Sequence, residues 1–128
     1  MTRAVVVPAT VKAMRQIQVS TRGEWRKWLA ENYDKEADGI WLVFYRRAAG
    51  RASLGYEEAL EEALCFGWID SIIKKLDEAR YCRKFTPRKN TSRWSPANRK
   101  RVAKLMKSGA MTEFGLAKIE AAKRAAGA

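Results

Sequence analysis

Residues 86–95, TPRKNTSRWS, set Arg88, Lys89 and Arg93 among the hydroxyls of Thr86, Thr91, Ser92 and Ser95. A guanidinium binds phosphate or carboxylate through paired N–H donors, and hydroxyls add more donors. Ser95-Pro96 then reads as a helix start, with serine as N-cap and proline as the first helical residue. A helix start presents unpaired amides and the positive end of the helix dipole, both of which favour an anion. These types and spacings suit oxyanion binding. A plainer reading stands beside it, in which Ser95 only caps the helix and the arginines are solvated. The loop has no Gly-rich phosphate cradle and matches no nucleotide-binding fingerprint.

The predicted helix 96–108 continues the basic stretch. Val102, Leu105 and Met106 form its expected core face, and Lys100, Arg101, Lys104 and Lys107 form the opposite face. Four cations on one helical face can meet the phosphates of a polyanion such as nucleic acid. Trp94 has two roles open to it. An exposed ring among cations could stack on a base or take part in a cation–π contact, or a hydrophobic residue just before an N-cap can pack back onto the helix as a staple. The staple is the expectation. Asp70, with Ser71, interrupts the apolar strand FGWIDSII. A buried carboxylate needs a partner, and a cation of the basic stretch is the expected one. Asp70 is then the anchor of a salt bridge, or else an acid/base or ligand-orienting group.

The chain has no histidine, which removes histidine triads, general bases and metal ligands. Cys65 and Cys82 form no CxxC pair, so neither a zinc site nor a disulfide framework is indicated. Cys65 reads as core. Cys82 is flanked by Arg80, Arg83 and Lys84, cations able to lower a thiol pKa, but nothing pairs with it as a base, so a catalytic thiol is not the expectation. No metal or cofactor is implied.

The elements that must position these residues follow from periodicity. Residues 1–15 read as a flexible N-terminal arm and 16–126 as a single domain. QIQVS, 16–20, is a short strand. Thr21 and Glu24 fit a capping box, and Trp25, Trp28, Leu29 and Tyr33 then share one helix face. GIWLVFYRR, 39–47, is a two-sided central strand. YEEALEEALCFG, 56–67, is a helix whose early glutamates suit the dipole. Residues 68–75 and 80–86 form a hairpin with imperfect alternation, turning at 76–79. The helix 96–108 is followed by a last helix, 113–125, with Phe114, Leu116 and Ile119 inward. The order β-α-β-α-β-β-α-α predicts an α+β domain with a mixed, mostly antiparallel sheet and about four packed helices.

Charge is unevenly placed. Between Ala79 and Thr112 lie eleven Lys/Arg and no Asp/Glu, whereas the other fifteen bases face fourteen acids. An almost neutral domain thus carries one basic block, which concentrates anions near it. Two free thiols suit a reducing compartment. The apolar run before Pro8 is too short for a signal-peptide core or a membrane span. The expected location is cytoplasmic.

CFGWIDS (65–71), KKLD, RYCRKFTPRK (80–89), SRWSPAN (92–98) and GAM (109–111) resemble the YdeI/OmpD-associated family of small bacterial proteins. The likeness runs from about residue 20 to residue 123 and includes GIWLVFYR at 39–46. The family pattern falls on Trp68, Asp70, Ser71, Phe85, Thr86, Pro87, Arg88, Lys89, Ser92, Trp94, Ser95 and Asn98. It adds Asn98 to the anion-binding set and makes Trp68, Asp70, Ser71, Phe85 and Trp94 the structural motif. The chain departs from it in having Gly55 before the tyrosine of the second helix and no tryptophan in its AAGA ending. The resemblance implies bacteriocin or cationic-peptide protection linked to the envelope, and no assigned reaction. The expected function is a non-catalytic module binding a phosphate-bearing or other anionic ligand, nucleic acid included. A protein–protein interaction factor, or an enzyme on a small anion with Asp70 as acid/base, are the alternatives.

Overall fold

The computed structural model describes residues 15–46, 50, 53–89 and 94–127. Of the expected arm 1–15, all but Arg15 lies outside them. β1 (Arg15–Gln18) leads into α1 (Arg22–Asn32) through the capping box. The Glu24 amide donates to Thr21 Oγ1 at 3.1 Å, and the Thr21 amide donates to Glu24 Oε1 at 3.2 Å. The box fixes where α1 starts, so Trp25 and Leu29 point into the core and Trp28 and Tyr33 pack at its margin.

β2 (Ile40–Tyr45) is buried on both faces, as its unbroken apolar run predicts. Ile40, Leu42 and Phe44 join the main core with the helices, while Trp41 and Val43 meet Cys82 on the other face. Gly39, at φ +81°, makes the sharp entry to this strand, and a Cβ there would overlap Phe85 O and Thr86 Cγ2. β3 (Trp68–Lys75) and β4 (Arg80–Pro87) form the predicted hairpin. The Asp77 carboxylate holds its turn by accepting from the Ala79 and Arg80 amides. The sheet order is β1-β2-β4-β3, with β1 parallel to β2 and the other pairings antiparallel. The α+β architecture and the order of elements are those expected.

The imperfect alternation of β3 has a structural cause. Asp70 lies opposite Phe85 but Ile73 lies opposite Arg83, so three steps on β3 match two on β4. This one-residue bulge at Ser71–Ile72 shifts the pleat and leaves Ile72 and Ile73 half exposed.

α2 (Tyr56–Cys65) is buried from Ala59 through Cys65, including Glu61 and Glu62 at 5% exposure each. α3 (Pro96–Ser108) starts at Ser95, whose Oγ accepts the Asn98 amide at 3.1 Å, and ends at Gly109 in the left-handed region. Val102 and Leu105 carry its burial. Met106, expected on the core face, is half exposed because it lies one residue step around the helix from Leu105. In α4 (Glu113–Gly127), Ile119 is buried, and Phe114 stacks on Tyr33 with ring centroids 4.0 Å apart. Gly115 of α4 passes so close to Cys65 O that a side chain there would collide with it.

The two buried glutamates tie the helices together. Glu61 pairs with Lys104 at 2.7 Å and Arg22 at 3.1 Å. Glu62 pairs with Arg22 at 2.7 Å and Arg26 at 2.8 Å, and Arg26 also donates to Ala110 O. Burial alone would push the Glu61 carboxyl up, but Lys104 and Arg22 outweigh it and hold it below the usual carboxylate range. A carboxyl whose folded pKa is depressed adds stability above its unfolded pKa and loses it as pH falls through the folded value. The unfolding midpoint should therefore drop on acidification below about pH 4. Glu61→Gln should start from a lower midpoint at neutral pH and lose less of it in acid, as followed by circular dichroism. Equal acid dependence in the two proteins would show that Glu61 is not a titrating anchor.

Candidate functional site

Asp70 is the last β3 residue before the bulge, and its carboxylate is met from two elements. Tyr56, the first residue of α2, donates from Oη to Asp70 Oδ2 at 3.1 Å. Arg83 of β4 brings Nη1 to 3.5 Å from the same oxygen and lays its guanidinium 4.0 Å over the Tyr56 ring. At that distance the Arg83 contact acts more through charge than through a strong hydrogen bond. Burial first, and then Asp70, raise the Tyr56 pKa, so its hydroxyl stays a donor at neutral pH. The partner expected for Asp70 from the basic block is thus Arg83. Beside this trio, Arg101 of α3 holds both Glu57 oxygens, at 2.7 and 3.0 Å, and also donates to Asn98 Oδ1 at 2.9 Å. The Arg101 hydrogen bonds draw the Glu57 carboxyl below its ordinary range. These contacts fasten the start of α2 to the first turns of α3.

The predicted anion loop is placed as follows. Thr86 and Pro87 end β4 opposite Ile69 and Trp68. Arg88 is 5% exposed, its amide donates to Gly67 O, and its guanidinium lies 3.8 Å over the Trp94 ring. The plainer reading of solvated arginines does not hold for Arg88, which is part of the packing. Trp94 is half-buried against the main core, in keeping with the staple reading. Lys89 is exposed. Thr91, Ser92 and Arg93 lie outside the described residues. The Ser95 hydroxyl is engaged as the α3 cap, and the Asn98 side chain by Arg101. Ser71 is exposed at the bulge. Trp68 and Phe85 are buried: Trp68 Nε1 donates to Tyr33 O, and Phe85 meets Trp25 edge to face.

The positive face of α3 divides in two. Arg101 and Lys104 turn toward α2 and pair with Glu57 and Glu61. Lys100 and Lys107 are exposed, and among the described residues no carboxylate pairs with them. Arg99 is exposed and equally unpaired, and joins them on the outer surface. The sequence held the signal for Arg99, since it precedes Lys107 by eight residues and so shares its face. Tyr56, Arg83 and Glu57 had no such signal, because their roles depend on contacts between elements far apart in the chain.

A sequence family described as Domain of unknown function (DUF8412) matches residues 17–118. The chain belongs to this family. No curated protein and no solved structure matches it. The DUF8412 match begins in β1 and ends in α4, so it takes in the Asp70 trio, the loop and all of α3.

Other chemistry in the DUF8412 domain is limited by burial. Both cysteines are buried, and burial pushes both thiols up. The cations that flank Cys82 in sequence do not surround its sulfur: successive strand residues point to opposite faces, and the sulfur turns inward with Trp41 and Val43. Among the described residues no cluster of His, Cys, Asp or Glu could hold a metal ion, and no helix is long and apolar enough to cross a membrane. Asp70→Ala should destabilise the domain by about 1–3 kcal/mol, since Arg83 loses its partner. Tyr56→Phe should cost about 1 kcal/mol, and the double variant should cost less than the sum. Urea unfolding measures all three. Additive, near-zero effects would mean that the trio does not act as a unit.

Proposed function

We propose that this chain is a non-catalytic binding module for a polyanion, with the phosphodiester backbone of nucleic acid as its ligand class. The observation that carries this reading is the row Arg99, Lys100 and Lys107 on the outer face of α3, exposed and unpaired among the described residues. Lys89, also exposed, lies shortly before the same helix. From Arg99 to Lys107 the row spans roughly 12 Å along the helix axis, enough to meet several phosphates of one strand. Cations left without carboxylates gain most from a ligand that supplies many negative charges and releases its counterions. A pocket for one small anion has less support, because Arg88, Ser95 and Asn98 are engaged within the protein. An acid/base role for Asp70 also has less support, because Tyr56 and Arg83 both hold the same carboxylate oxygen.

The buried, unbridged thiols suit a reducing compartment, and we place the protein in the cytoplasm. The string FGWIDS, FTPRK and WSPAN leads us to propose kinship with the YdeI/OmpD-associated proteins, and through it a role in envelope stress or cationic-peptide protection.

The test is fluorescence anisotropy with a short DNA duplex between 50 and 200 mM NaCl. Binding should weaken steeply with salt. Lys100→Ala and Lys107→Ala should each lower the log–log salt slope by about 0.9. Lys35→Ala, outside the basic block, should change little. Salt-independent binding, or equal effects from all three variants, would sink the proposal.

A further inference from the structure

Two acids of α2 lie against α3, and they differ in kind. Glu61 is buried and shared between Lys104 and Arg22, so it belongs to the packing. Glu57 is 55% exposed in its side chain, sits in the first turn of α2, and pairs with Arg101 alone among the described residues. Arg101 meets it with two N–H groups, from Nε and Nη2. That fork is the same one a guanidinium uses for a phosphate. Arg101 follows Lys100 about 100° further around the helix, and Asn98 Oδ1 accepts from its remaining nitrogen. Arg101 is 24% exposed in its side chain and Glu57 55%, so Glu57 is the partner able to swing into solvent.

We propose that Glu57 is a built-in competitor for the polyanion: it occupies Arg101 in the free protein, and a bound phosphate displaces it. The inference rests on the polyanion reading above and adds its regulation. In the free protein Glu57 cancels one cation of α3 and lowers its general attraction for any anion. A ligand that puts a phosphate beside Lys100 offers Arg101 a better-charged partner, and Arg101 joins the contact. A lone chloride or carboxylate offers too little to break the pair. The competitor thus weakens binding to small anions more than binding to a continuous backbone.

The test uses the full chain and the same duplex. Glu57→Gln should bind at least about threefold tighter at 50 mM NaCl with a nearly unchanged salt slope, because the same phosphate contacts form in both complexes and only the cost of displacing Glu57 is removed. Glu58→Gln is the control. It makes the same change in net charge one residue away, where the carboxylate accepts from the Gly55 amide. Its gain should be clearly smaller. In an Arg101→Ala background the Glu57→Gln gain should disappear. Equal gains from Glu57→Gln and Glu58→Gln, or a gain that survives Arg101→Ala, would overturn the competitor and leave the polyanion reading standing. No salt-dependent binding by any of the proteins would overturn both.

Discussion

Two carboxylates on α2, each 5% exposed, set the arrangement of everything packed around that helix. Burying a carboxylate is costly, and the cost is offset only by close, well-placed cations. Glu61 and Glu62 together engage Arg22 and Arg26 from α1 and Lys104 from α3. An apolar surface would let the neighbouring helices slide or rotate at little cost, because hydrophobic contact is not directional. The paired charges allow only those positions in which every carboxylate keeps its partners. Arg26 extends the same constraint to the Ala110 carbonyl, at the link between α3 and α4. The placement of α3, and so of the basic row it presents, is tied to these two acids.

What could be read from the sequence was local. The Thr21–Glu24 box, the Ser95-Pro96 start and the Asp77 turn each rest on residues within three positions of one another, and each is found as expected. The apolar run of β2 was readable for a similar reason, since no alternation means burial on both faces. The unreadable parts were non-local. Glutamates early in a helix look like a dipole effect, and nothing near Glu61 in the sequence reveals Arg22, 39 residues before it. The β3 bulge was visible only as a flaw in alternation. It shifts the pairing of β3 with β4 by one residue at Asp70, and this hid the identity of Arg83 as its partner.

The basic block shows the same division. Its total charge was plain, but its partition was not. Arg80, Arg83, Arg101 and Lys104 answer carboxylates of the domain, and Arg88 lies under Trp94. Composition cannot separate such structural cations from those that face only water.

The first turns of α3 are where local rules are broken. The N-terminal end of a helix carries partial positive charge, and acids there are favourable while cations are not. α3 has no acid in its first turn, and Arg99, Lys100 and Arg101 follow it at once. Ser95 caps one amide, and Glu57 reaches across from α2 to neutralise Arg101. Arg99 and Lys100 have no such relief among the described residues. A sequence under selection for stability alone would exchange them for neutral or acidic residues at a gain. Local conflicts of this type concentrate at functional sites. Under the polyanion reading proposed above, a phosphate chain lying along α3 would relieve the dipole and the cations together.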